Sequence, residues 1–229
     1  MFGSHPAESP RKGMSNAVAV IGLGRFGGAL ALELMRNGTD VLGVDHDEAT
    51  VQRFNGKLTS VVRADATDED VLRELSVNEF ERAVVGIGSD IQASILTASR
   101  LVKFGCPAIW AKAITEPHAE ILTQLGVQHV VNPESDMGTR AAHLIQHRIL
   151  DFVPIDDGYA LVRCTPPLPI QQRPMDLLNV RQKLGVSVVA VCRPGGQWEP
   201  IEPGTMLYDD DQILVTGPTR KVERFSNLA

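Results

Sequence analysis

Six consecutive residues, Gly22-Leu23-Gly24-Arg25-Phe26-Gly27, have the types and spacing that bind phosphate. Glycine permits a tight turn and lets an anion approach the backbone closely. Where such a turn opens a helix, its free N–H groups and positive end face the ligand. About 20 residues further on stands Asp45, where a carboxylate accepts both ribose hydroxyls of an adenosine and repels a 2′-phosphate, which disfavours NADP. Arg25 adds a mobile cation inside the turn, able to hold phosphate oxygens bidentately. Phe26 belongs to the same turn, and His46 follows Asp45 in the ribose loop. Asp65-Ala66 offers a second carboxylate on the adenine side, or a cap for a helix starting at Asp68.

These groups need elements to hold them, and the chain supplies an alternation. Ala17–Ile21 reads as an apolar strand, Phe26–Asn37 as a helix closed by Gly38, and residues 41–44 as a second strand, which makes a βαβ unit. Strands are expected at 59–63, 83–86, 108–111 and 127–131, with helices at 68–75, 90–104 and 116–125. Six strands alternating with helices predict a Rossmann-type, doubly wound parallel sheet. Their lack of polar alternation fits a sheet covered on both faces. A helix is expected from Ser135 to about Ile149, capped by Ser135 or Asn132. Beyond Asp151 prolines cluster, with strand-like runs at 160–163, 187–192 and 212–216 and one helix at 175–184. This texture predicts a small α+β domain with little core of its own, suited to pairing with a second copy.

Composition narrows the function. The 229 residues carry 22 Lys and Arg against 28 Asp and Glu, a net charge of −6. No basic field exists to displace counterions from nucleic acid or to hold an anionic bilayer. Cys106, Cys164 and Cys192 are widely spaced and form no zinc or disulfide pattern. No apolar run spans a bilayer, and the chain reads as cytosolic. Residues 1–15, polar and proline-containing, are expected to be a disordered extension or a tag remnant. No phosphate loop ending in Gly-Lys-Ser/Thr occurs, nor any hydrolase signature. The histidines are scattered, His118, His129, His143 and His147 among them, and surface or packing roles are their default. An NAD-dependent oxidoreductase, or an NAD(H)-binding redox regulator, is the alternative reading of the glycine turn. It lacks an acid/base constellation in the second domain.

The runs Val20–Gly27, Asp45, Ala64–Thr67, Ile91–Ser94, Ile109–Ala113 and Pro133–Gly138 occur in an order that resembles the RCK (KTN/TrkA-like) family, cytosolic regulatory subunits of bacterial potassium channels. Asn179–Gly185, Val188–Val191 and Asp211–Val215 resemble that family's smaller C-terminal domain. The resemblance implies a nucleotide-binding domain at 16–134, a crossover helix at 135–150 and a regulatory domain at 151–229. It also implies homodimers closing into an octameric ring beneath a membrane potassium channel subunit of the KtrB/TrkH type, with ATP, ADP or NAD(H) at the glycine turn. By position, Gly22, Gly24 and Gly27 would hold phosphate, with Asp45 and Asp65 on the ribose or adenine side. Arg25 would meet the γ-phosphate, Ile87 and Gly88 would line the adenosine site, and Lys112 would lie near the phosphates. Glu134 would face the γ-phosphate and bind a Mg²⁺ or Na⁺ that offsets their repulsion. A cyclic di-AMP site is implied in the C-terminal domain, with Val189 against a base and Arg193 on phosphate. No catalytic residue and no nucleic-acid partner are implied.

Overall fold

The computed structural model describes residues 16–228, so the expectation for residues 1–15 lies outside the described residues. The chain divides into two compact units, the first ending at Glu134 and the second beginning at Ser135.

The first unit is a six-stranded parallel sheet of β1 (Ala17–Ile21), β2 (Asp40–Asp45), β3 (Ser60–Arg63), β4 (Arg82–Val85), β5 (Ala108–Lys112) and β6 (His129–Val131), in the order β3-β2-β1-β4-β5-β6. Its helices are α1 (Arg25–Arg36), α2 (Glu48–Phe54), α3 (Glu69–Glu74), α4 (Ile91–Lys103) and α5 (Glu116–Gln124). This is the doubly wound arrangement that the alternation predicts. Successive β1 residues point to opposite faces. Ala17, Ala19 and Ile21 join a core with Leu101, Ile109 and Leu122, while Val18 and Val20 join another with Leu23, Ala31 and Phe54. Both faces are therefore apolar, which is why the strands show no polar alternation. Each fully buried Leu or Ile contributes roughly 1.5–3 kcal/mol of transfer free energy. Asp47, Asp68, Asp90 and Thr115 cap α2, α3, α4 and α5 through side-chain oxygens. Asp68 rather than Asp65 thus starts α3.

α6 (Pro133–Gln146) opens on a proline, the residue best suited to the first helical position, so Ser135 lies inside the helix and does not cap it. The helix stops at Gln146, short of the expected Ile149. Ile149 and Leu150 belong instead to β7 (Ile149–Asp156). β7 pairs antiparallel with β8 (Tyr159–Cys164) across Asp157-Gly158, where Gly158 has φ +78°. The second unit is completed by α7 (Met175–Leu178), α8 (Val180–Leu184), β9 (Ser187–Cys192), β10 (Trp198–Pro200), β11 (Gln212–Pro218) and α9 (Thr219–Ser226), with sheet order β10-β9-β11-β8-β7. The single helix expected at 175–184 is broken at Asn179, whose φ of +49° is left-handed. The core gathers Phe152, Val162, Leu207, Ile213, Val215, Val222 and Phe225, all buried. No helix among the described residues is long and apolar enough to cross a membrane.

Candidate functional site

The chain order reverses between β1 and β4, and the carboxyl ends of these two strands open a cleft, as expected at a topological switch point. Gly22 follows β1 with φ +88°, a conformation side chains rarely adopt, and its N–H donates to the Val44 carbonyl at 2.8 Å. Gly27 faces it across the turn, and a Cβ there would sit 1.9 Å from the Gly22 carbonyl oxygen. Turn and helix can approach only as glycines. Gly24, by contrast, has nothing within 4 Å of a Cβ, so its open side is free for a ligand.

α1 begins with neither a side-chain cap nor an acidic residue in its first turn. The other capped helices of this unit recruit an Asp or Thr for that purpose, whereas here the N–H groups of the first turn face the cleft without a helical acceptor. An uncapped start with open space over Gly24 fits a phosphate group. Asp45 closes the opposite wall: one carboxylate oxygen accepts the Leu23 N–H at 2.7 Å and the other accepts the Asp47 N–H at 3.0 Å. The same side chain that would meet a ribose therefore also pins the glycine turn. His46 Nδ1 lies 3.5 Å from Asp45 on the exposed rim.

Two adjoining cavities, about 430 and 560 Å³, fill the cleft and share Gly22, Asp45, His46, Ile87 and Ser89. The first takes in Asp65, Ala66 and Thr67, and the second Gly24, Arg25, Phe26, Gly88, Lys112 and Glu134. Of the thirteen nucleotide residues expected from sequence, twelve line these cavities, and the thirteenth, Gly27, lines neither and acts by close packing. Asp65 accepts the Thr67 N–H at 2.9 Å and its hydroxyl at 2.7 Å, and those bonds hold its carboxyl below the ordinary range. It shapes a turn at the cleft wall.

At the far end Lys112 Nζ donates to Glu134 Oε1 at 2.6 Å. The lysine side chain is 11% exposed and the glutamate 59%, so a shielded cation meets a carboxylate open to water. The Lys112 hydrogen bond is the main cause that lowers the Glu134 pKa, and the charge of Arg25 adds to it. The family resemblance placed Lys112 near the phosphates and Glu134 near the γ-phosphate but did not pair them. It missed Ser89, Asp90 and Gln92, which follow β4 and line the first cavity. The signal was topological, because the end of β4 must flank the same crevice as the end of β1. It also missed Arg53, whose guanidinium donates to the Leu23 carbonyl at 3.3 Å and braces the turn from α2.

In the second unit, Val189 is 41% exposed on β9, and Arg193 pairs with Glu199 across the β9–β10 hairpin at 3.1 Å. A neighbouring cavity of about 310 Å³ is lined by Met175, Val180, Val188 and Ile201 among others and takes in neither.

Residues 18–133 match the TrkA-N domain model. The chain is 35% identical over 210 residues to the Ktr system potassium uptake protein A of Bacillus subtilis (strain 168), a match covering 91% of this chain and 95% of that protein. Among solved structures it resembles the GsuK RCK domain (TM-score 0.66, 16% identity), over 100% of this chain and 51% of that one. It also resembles the GsuK channel bound to NAD (TM-score 0.67, 17% identity), over 98% of this chain and 42% of that one. The chain thus spans about half or less of those two proteins, and at such identity the likeness is one of fold.

Proposed function

The chain belongs to the RCK (TrkA-N) family, and from that premise we propose that it is a nucleotide-sensing regulatory subunit of a potassium-transport system, distinguishing ATP from ADP in the cleft between β1 and β4. The observation that carries this reading is the charged set at the phosphate end: Arg25, Lys112 and Glu134 line one cavity with the uncapped start of α1. A dinucleotide or a diphosphate satisfies the glycine turn and Asp45 equally well. Only an additional phosphoryl group brings new charge to these three side chains. It would compete with Glu134 for Lys112, and a Mg²⁺ or Na⁺ held by the Glu134 carboxylate would offset the repulsion that remains.

Sensing requires differential affinity for two states of an assembly. A bias of about 3 kcal/mol shifts a two-state population more than a hundredfold, and coupled sites supply that in small increments. The proposed assembly is an octameric ring of homodimers on the inner face of the membrane, bound to a potassium channel subunit of the KtrB/TrkH type. The relative's name, a potassium uptake protein, supports this, as does α6, which buries none of its fourteen residues and exposes Met137 (57%) and Ile145 (83%). A cyclic di-AMP site at Val189 and Arg193 belongs to the same proposal. Within this proposal the chain acts as a regulator, its cleft offering carboxylates and cations suited to binding.

Titration calorimetry of nucleotide-stripped protein with ATP, ADP and NADH tests it. The wild type binds ATP and ADP, and Arg25→Ala weakens ATP at least about tenfold more than ADP, the value of one charge-assisted contact. Tight NADH binding with no response to ATP or ADP would sink the proposal in favour of a redox regulator.

A further inference from the structure

Three side chains of the second unit converge away from the nucleotide cleft. His143 stands in the last turn of α6, His147 follows the end of that helix and donates its backbone N–H to the His143 carbonyl at 3.2 Å, and Glu223 projects from α9. Glu223 Oε1 lies 2.8 Å from His143 Nδ1 and 3.6 Å from His147 Nε2, and the three ligand-capable atoms all lie within 4.8 Å of one another. A tetrahedral ion with bonds of 2.0–2.1 Å needs its ligands about 3.3 Å apart, which these separations bracket. The side chains are 22%, 21% and 18% exposed, shielded enough to bind yet open to an entering ion.

The surroundings hold the rings in place. His143 stacks on Phe152 with centroids 3.9 Å apart and planes 13° from parallel, which fixes the direction of its Nδ1. Asn227 meets the remote nitrogen of His147, Nδ1, at 2.8 Å, while its oxygen accepts the Arg148 N–H at 3.1 Å. With the amide so turned, the His147 proton sits on Nε2, facing Glu223. Rotation of that amide by half a turn presents its oxygen to Nδ1. The proton then rests there, and the Nε2 lone pair is released to a metal at the cost of the Asn227–Arg148 hydrogen bond.

We propose that His143, His147 and Glu223 form a site for a borderline transition ion of the zinc class, leaving one coordination position to water. Two imidazoles and one carboxylate suit Zn²⁺, Co²⁺ or Ni²⁺ and disfavour Mg²⁺ or Na⁺, which take oxygen ligands. The site is therefore chemically distinct from any cation at Glu134. A bound ion clips the end of α6 to the C-terminal helix and gives this unit an input separate from nucleotide.

The test is a Co²⁺ titration of the full chain after chelator treatment and dialysis, read by visible d–d absorption, with Zn²⁺ competition. The expected result is one Co²⁺ per chain in a four-coordinate spectrum, displaced by Zn²⁺ but not by Mg²⁺. His147→Ala and Glu223→Gln should each weaken binding at least about tenfold, and Cys192→Ser should leave it unchanged. Circular dichroism confirms folding, and Glu223→Gln, which keeps shape and hydrogen-bonding capacity, decides the matter if His147→Ala fails to fold. Absence of saturable binding, binding undiminished in Glu223→Gln, or a thiolate charge-transfer band removed by Cys192→Ser would each overturn the proposal.

Discussion

Lys112, at the end of β5, and Glu134, in the first turn of α6, form a 2.6 Å ion pair in which the cation is shielded and the carboxylate faces water. The two partners are therefore unequal. Glu134→Gln strands a shielded ammonium beside a neutral amide, whereas Lys112→Met leaves a carboxylate that water can solvate. Because Glu134 is open to solvent, the stability cost of Glu134→Gln is at most about 1 kcal/mol. Its pH dependence has a definite sign. The folded carboxyl titrates below its ordinary 4.5, so the wild-type advantage is fully present above about pH 4.5 and disappears as pH falls through the lowered folded value. Urea midpoints of both proteins at pH 7 and pH 3 check this.

Asp45 bonds the Leu23 N–H and would also bond a ribose, so Asp45→Ala should cost on two readouts. Unfolding should show a loss of about 1–3 kcal/mol from the unpaired turn amide. Calorimetry should show adenosine nucleotides weakened at least about tenfold. Asp45→Asn, which removes the charge that repels a 2′-phosphate, should narrow the preference for NAD over NADP.

His118 is buried, neither ring nitrogen has a hydrogen-bond partner among the described residues, and burial lowers its pKa from 6.5. The unfolded chain therefore takes up a proton that the folded chain resists. Stability is full above about pH 6.5 and declines as pH falls towards the lowered folded value. His118→Leu should remove that slope, and the difference between variant and wild type should be larger at pH 5 than at pH 8 in chemical denaturation.

Arg193 forms an exposed pair with Glu199, so Arg193→Ala should change stability by less than about 1 kcal/mol. Equilibrium dialysis with cyclic di-AMP should nonetheless show wild-type binding that this variant weakens at least about tenfold. Failure of the wild type to bind removes the second-messenger site from the proposal.

The parallel sheet and the glycine turn were legible because local rules governed them, with apolar runs, capping aspartates and a Gly-rich turn between strand and helix. The end of α6 was not. Leu144, Ile145 and Ile149 continue a helical spacing, and no glycine or proline interrupts it. The helix stops where the Arg148 N–H finds the side chain of Asn227, a partner 79 residues away. Asp157-Gly158 was a hairpin signal that went unused, hidden behind that overlong helix. Asn179 breaks α7 from α8 in a left-handed conformation that composition alone does not announce. Most of the expected residues line the cleft, but their pairings were not legible: which cation meets Glu134 depends on β5 and α6 being neighbours in space. His143 and His147 looked scattered because Glu223, which gives them meaning, lies in a helix the sequence reading did not identify.

Any substitution at Gly27 places an atom 1.9 Å from the Gly22 oxygen, and at Gly86 2.7 Å from the same oxygen, whatever the incoming side chain. Alanine is thus as harmful there as aspartate, and a saturation library would show both positions as uniformly blank columns. At Gly24, where nothing lies within 4 Å, small residues survive folding and the losses are graded by how far they reach into the anion's space. Missense tolerance at Gly24, Gly27 and Gly86 would then separate the demands of architecture from those of the ligand, with no nucleotide added to the assay.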